Sequence, residues 1–308
     1  MSFLYLSSGD ALWGWANALS SSNVAIILVT FALAIMIGLT VRSKTSLRKG
    51  KSEKGKVNVL KFHSEEEVAV GLAKYIADLS AKFIEENGCF SVVLSGGTLV
   101  DTLRKLLEPP YINSIEWSKW LIFFLDERVV PLNHPDSNYK LALDGFLSKV
   151  PIPKSSIHAI NDKLSPERAA IDYENRLKRL VEKGTLRKSG GSDFANFDLM
   201  LLGMGPDGHV ASLFCWHFQR FEKTRWVTSI KDSPKPPSQR ITFTFPLINA
   251  ASEIAMVVTG EDAADAVKIA LRETKSSSCC FPLPVEKVSP IGKLTWFLDS
   301  DATSGYHR

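Results

Sequence analysis

Few side chains can take a proton from water near neutral pH, and His209 is placed to do so. It closes a Gly-rich break, Gly203-Met204-Gly205-Pro206-Asp207-Gly208-His209, that follows the apolar run Leu199-Met200-Leu201-Leu202. An imidazole titrates close to neutrality and suits general base work, and Asp207 or Asp126 would orient it or a water. A second loop, Ser95-Gly96-Gly97-Thr98, combines small residues with an apparent helix start, so its N–H groups suit a phosphate. It has neither the P-loop nor the dinucleotide pattern. Arg128, in Asp126-Glu127-Arg128, adds a planar fork for phosphate oxygens, and Lys235, held among prolines in Ser233-Pro234-Lys235-Pro236-Pro237, adds a second cation. His63, His134, His158, His217 and His307 show no metal-ligand spacing, and no G-x-S-x-G elbow is present. Together these residues point to a metal-free enzyme that acts on a small phosphorylated compound through a general base.

The elements that must position these groups can be read from hydrophobic period. Residues 57–62 form an expected strand. Ser64 and Glu67 then read as a capping box for a helix with Val68, Leu72, Ile76, Leu79 and Phe83 on one face, stopping near Gly88. Expected strands follow at 90–94, 120–125, 199–202, 240–245, 254–258 and 294–298. Expected helices cover 99–107, 166–183 and 261–272, and a further helix opens at Val210, just after the His209 loop. Residues 186–194 read as a surface loop. Strands alternating with helices give an α/β fold, a mainly parallel sheet flanked by helices. In such a sheet the strands ending at Leu94, Leu125 and Leu202 would bring their loops to one rim. No repeat or break divides 58–308, so it is expected to be one domain, preceded by residues 1–57.

Residues 24–41 hold no charged side chain among eighteen residues, enough for a helix of about 27 Å. They read as one N-terminal transmembrane helix, with 42–57 as a basic tether. Between Arg42 and Lys56 seven basic residues accompany one acid, Glu53, which places the body on the cytosolic side. The alternatives are a soluble cytoplasmic protein, or a plastid one if the N-terminus is a targeting segment. Although the whole chain carries a net charge of +4, the remainder is slightly acidic, which does not suit a nucleic-acid binder. Cys89, Cys215, Cys279 and Cys280 form no C-x-x-C pair and read as free thiols.

With these residues in view, the chain resembles the 6-phosphogluconolactonases, of the glucosamine/galactosamine-6-phosphate isomerase superfamily, and their plant-like branch in particular. LSGGT, FFLDERVVPLNHPDSNY, FDLMLLGMGPDGHVASLF and SPKPPSQRITFTFPLIN match that family's successive signatures over nearly all of 58–308. The resemblance implies the fold of that superfamily and hydrolysis of 6-phospho-D-glucono-1,5-lactone to 6-phosphogluconate, in the oxidative pentose phosphate pathway. His209 would be the general base, Arg128 and Lys235 the phosphate-binding cations, and Gly205 and Gly208 part of the loop that meets a developing oxyanion. It implies a small phosphosugar lactone as the partner, with no metal, cofactor or nucleic acid. Two rival activities share the fold. One is a glucosamine-6-phosphate deaminase-type isomerase, which places a Glu shortly after the histidine, whereas here the next Glu is Glu222. The other is a non-catalytic sugar-phosphate sensor.

Overall fold

Apolar runs too short for helices form the centre of the chain in the computed structural model, which describes residues 56–272 and 282–304. In chain order the strands are β1 (Val57–Lys61), β2 (Phe90–Leu94), β3 (Trp120–Phe124), β4 (Asp126–Arg128), β5 (Ile157–His158), β6 (Arg187–Lys188), β7 (Ala195–Asn196), β8 (Leu199–Leu202), β9 (Val227–Ile230), β10 (Arg240–Phe243), β11 (Glu253–Val258) and β12 (Lys293–Leu298). Seven of them make one sheet in the order β1-β12-β11-β8-β2-β3-β5. Every neighbouring pair in it is parallel. A second, antiparallel sheet joins β4, β10 and β9, and β6 pairs with β7.

Apart from its edge strands β1 and β5, the large sheet is buried on both faces, which explains its near-continuous apolar strands. Successive side chains point to opposite faces. Val93, Phe123, Met200, Leu202, Ile254 and Met256 therefore meet the core under helix α4 (Pro166–Glu182), whose Tyr173 and Leu177 belong to the same cluster. Phe90, Val92, Leu94, Trp120, Ile122 and Leu201 meet the opposite core, built with helix α1 (Glu65–Asn87). Helices α2 (Leu99–Thr102) and α3 (Asn138–Gly145) lie on that second side, through Leu99, Val100 and Ala142. The start of α1 is fixed as its sequence suggests. Ser64 Oγ accepts from the Glu67 amide at 3.3 Å, and Glu67 reaches back to the amide of His63 at 2.9 Å. Gly88 ends the helix in the left-handed region, at φ 76°.

The α/β sheet thus stands, but the expected transmembrane helix in front of it does not. Among the described residues no helix is long and apolar enough to cross a membrane. The longest, α1, is amphipathic: it buries Val68, Leu72, Ile76 and Phe83 and carries Lys74, Asp78, Lys82 and Glu85 elsewhere on its surface. Residues 24–41, on which the anchor rested, lie outside the described residues. The membrane-anchored, cytosol-facing location is corrected with it. Three local expectations also change. Asp126-Glu127-Arg128 is not a loop after β3 but a strand of the second sheet. Residues 187–188, expected in a plain loop over 186–194, pair with 195–196. No helix opens at Val210; a tight turn there closes with Leu213 N–H donating to Val210 O at 2.9 Å.

Candidate active site

From β2 the chain moves through the sheet to β3 and β5; from β8 it moves the other way, to β11 and β12. The β2–β8 boundary is therefore the point where strand order reverses, and loops leaving the two carboxyl ends must diverge and open a crevice. The loops that leave there are Ser95–Thr98 and Gly203–His209. Both line a crevice of about 380 Å³, a size suited to one small molecule. The second sheet supplies the far wall with Asp126, Arg128 and Arg240, and Lys235 closes it.

His209 reaches the crevice because its loop folds back on itself. The Gly205 amide donates to His209 O at 3.0 Å, and the Gly208 amide to Gly205 O at 2.8 Å. A side chain at residue 205 would collide with the imidazole, since a Cβ built there lies 2.1 Å from His209 Cε1. Gly208 needs its freedom for a different reason, a φ of 71°. With both amides engaged inside the loop, Gly205 and Gly208 shape it and hold no N–H free for a ligand. His209 Nδ1 lies 2.5 Å from Asp207 Oδ1, and Phe214 packs on the ring at 4.7 Å between centroids. A carboxylate on Nδ1 fixes that nitrogen as the donor, so Nε2 keeps its lone pair. Burial lowers the imidazole pKa below its ordinary value, outweighing the upward pull of Asp207, and the nearby Lys235 charge lowers it further. The ring is therefore neutral at pH 7.

Alternation along β4 sorts its three residues. Asp126 and Arg128 share the crevice face, while Glu127 points away and is buried. Glu127 accepts from the amides of Asn138 and Tyr139, at 2.7 and 2.8 Å, and so holds the start of α3. Burial pushes its carboxyl up to about 7 against those hydrogen bonds. In the register of β4 with β10, Arg128 stands directly opposite Arg240. Like charges directly opposite in an antiparallel pair repel, so this wall holds two cations at a cost in stability. Arg128 spends one N–H on Asp136 O, at 2.8 Å. Lys235 Nζ has no ion-pair or hydrogen-bond partner among the described residues. The amides of Gly96, Gly97 and Thr98 likewise make no hydrogen bond among them.

Comparison with known proteins identifies the family. The model of "Glucosamine-6-phosphate isomerases/6-phosphogluconolactonase" matches residues 63–296. The chain is 58% identical over 246 residues to "Probable 6-phosphogluconolactonase 4, chloroplastic" of Oryza sativa subsp. japonica, covering 80% of this chain and 76% of the relative. It is 54% identical over 264 residues to "6-phosphogluconolactonase 3, chloroplastic" of Arabidopsis thaliana, covering 86% and 79%. Among solved structures, the 6-phosphogluconolactonase of Thermotoga maritima superposes with a TM-score of 0.66 at 28% identity, covering 80% of this chain and all of that one. The chain belongs to the 6-phosphogluconolactonase family, in its plant-like branch.

As a 6-phosphogluconolactonase family member, the chain brings most of its sequence-marked residues to one place. Ser95, Gly96, Gly97, Thr98, Asp126, Arg128, Gly205, His209 and Lys235 all line the crevice. Asp207 and Gly208 stand behind it, Asp207 against His209 Nδ1 and Gly208 inside the loop. Asp126 lines the crevice with its carboxylate accepting from Ser212 Oγ at 2.7 Å and its carbonyl from Asn138 Nδ2 at 2.9 Å. The deaminase-type rival lacks its acid, because Glu222 is turned to the amides of Lys223, Thr224 and Arg225 and lines a different hollow. Among the crevice or crevice-wall residues that the sequence does not mark are Asn138, Ser212 and Arg240. For Arg240 a signal existed, a charged residue opening a strand whose other residues suit burial.

Proposed function

We propose that this crevice hydrolyses 6-phosphogluconolactone to 6-phosphogluconate, with His209 as the general base. The observation that carries the reading is the His209 imidazole, held at Nδ1 by Asp207, in a crevice that also holds Arg128, Lys235 and the free amides of Gly96–Thr98. The phosphate pairs with Arg128 and Lys235, which fixes the lactone by its far end and lends binding energy to orientation at C1. His209 Nε2 takes a proton from water as the water oxygen bonds to C1. The free amides of the Ser95–Thr98 loop are the N–H donors left for substrate oxygens that are, or become, anionic. When the tetrahedral adduct collapses, the bond from C1 to the ring oxygen breaks, and the imidazolium returns its proton to that oxygen. The products are the carboxylic acid and a free hydroxyl, with no proton gained or lost by the protein.

The test compares the full chain with His209→Ala, following lactone hydrolysis over the rate without protein and measuring 6-phosphogluconate binding separately. The variant is expected to lose most of the catalysed rate, about 10²- to 10⁴-fold for a general base, and still to bind 6-phosphogluconate. A His209→Ala protein that keeps its rate removes the assignment.

A further inference from the structure

Arg240 is 3% exposed, yet its guanidinium lies at the crevice wall and pairs with no carboxylate directly among the described residues. Its donors go elsewhere. Nη2 donates to Lys235 O at 2.7 Å and to Pro236 O at 3.4 Å, Nε to Pro237 O at 3.0 Å, and Nη1 to Ser212 Oγ at 3.2 Å. We propose that Arg240 is a positioning residue that holds the 235–237 loop over the crevice, so that Lys235 presents its ammonium to the substrate phosphate. This rests on the reading of Lys235 as a phosphate cation.

Donor counting separates this role from direct phosphate binding. A guanidinium has five N–H groups. Four of those on Arg240 are aimed at protein acceptors, which leaves one and no two-pronged face. Arg128, opposite it across the strand pair, gives a single N–H to Asp136 and keeps its fork. The two arginines therefore divide the work, one gripping the ligand and one gripping the loop. Ser212 makes the buried charge tolerable: its hydroxyl accepts from Arg240 and donates to Asp126 Oδ2 at 2.7 Å. A polar chain thus runs from the Lys235 loop through Arg240 and Ser212 to β4, the strand that carries Arg128. The loop itself offers little other purchase, since its internal bonds are Ser233 N–H to Ser238 O, at 3.1 Å, and those of the Ser233 hydroxyl with Lys235.

The experiment is a double-mutant cycle on the full chain: Lys235→Met, Arg240→Lys and the pair, each checked for folding by near-ultraviolet circular dichroism. KM and kcat for the lactone and the competitive inhibition constant of inorganic phosphate are measured for each. Lysine keeps the charge at 240 but cannot hold three loop carbonyls and Ser212 at once. Lys235→Met is expected to raise KM and the phosphate constant about tenfold, the effect of one lost charge-assisted hydrogen bond. Arg240→Lys should do nearly the same with kcat within about twofold, and the pair should be no worse than Lys235→Met alone. Multiplying effects in the pair, or a fall in kcat at unchanged KM for Arg240→Lys, would overturn the proposal while leaving Lys235 in its role. Unchanged KM and phosphate inhibition in Lys235→Met would overturn both. If Arg240→Lys does not fold, Ser212→Ala replaces it in the same cycle, where coupling to Lys235 supports the proposal and additivity refutes it.

Discussion

Replacing Asp207 by Asn separates the two things the carboxylate does for His209. In the native protein Asp207 Oδ1 sits 2.5 Å from Nδ1, holds the proton there, and leaves Nε2 as the base. As the imidazole becomes imidazolium in the transition state, the same carboxylate stabilises the new charge. A charge-assisted hydrogen bond contributes about 1.5–3 kcal/mol. The Asp207 side chain is 44% exposed, so solvent screening argues for the low end. At 1.4 kcal/mol per factor of ten, kcat should fall about tenfold. The acid limb should move as well. His209 is active when neutral and already titrates below its ordinary value, because burial outweighs Asp207; removing the Asp207 charge removes the main upward pull. Activity in Asp207→Asn should therefore persist to lower pH than in the native protein, at a lower plateau, with KM little changed because Asp207 does not line the crevice. The assay is proton release in weak buffer, corrected at each pH for the uncatalysed rate. An acid limb that stays put or moves to higher pH refutes the pairing, as does a rise in KM at constant kcat.

Two other substitutions probe the site by different means. Gly205→Ala adds a methyl 2.1 Å from His209 Cε1 and 2.2 Å from Nδ1; it should abolish catalysis about as fully as His209→Ala while leaving the far-ultraviolet circular dichroism unchanged, and an active protein would show that the ring has room to move. Arg128→Met should raise KM about ten- to hundredfold, as one charged fork is lost. It should also flatten the rise in thermal midpoint that 6-phosphogluconate gives the native protein, which mass action puts at about 2.7 kcal/mol of stabilisation at a hundredfold excess over Kd; a full thermal response in the variant would move the phosphate away from Arg128.

What the sequence shows of this site is its local chemistry. Gly205, Gly208 and His209 follow a fully buried strand, and a glycine pattern that frees the backbone for a tight loop survives in one dimension. Ser95–Thr98 is legible for the same reason. What stays hidden depends on pairing across long stretches of chain. Asp126-Glu127-Arg128 reads as the tail of β3 because nothing near it announces β10, more than a hundred residues on. The pentapeptide after His209 reads as a helix start from its apolar residues. In the fold Ser212 gives its hydroxyl to Asp126, its amide donates to Thr242 Oγ1, and Ala211 takes a positive φ of 51°. Those tertiary bonds outweigh local propensity. The apolar run at 24–41 shows the opposite hazard, since hydropathy alone proposed a membrane span that no described helix supports.

The facing pair Arg128 and Arg240 is where fold and function constrain each other most tightly. Two cations directly opposite on one sheet face cost stability, and burial of Arg240 raises that cost; its pKa is lowered by burial first and by Arg128 second. The protein offsets the cost on one side only. Arg240 is satisfied by three carbonyls and by Ser212, which passes its field to Asp126, whereas Arg128 has its Nε buried without a partner. A fold selected for stability alone would have neutralised both or neither. With the deficit left on Arg128, and with Lys235 and the amides of Gly96–Thr98 free of hydrogen-bond partners among the described residues, the crevice lining keeps unmet positive potential. His209 lines the same crevice, with Asp207 held on its Nδ1. Under the proposed function, that asymmetry would set which end of a phosphorylated lactone enters where, with the phosphate at Arg128 and the carbonyl carbon facing His209.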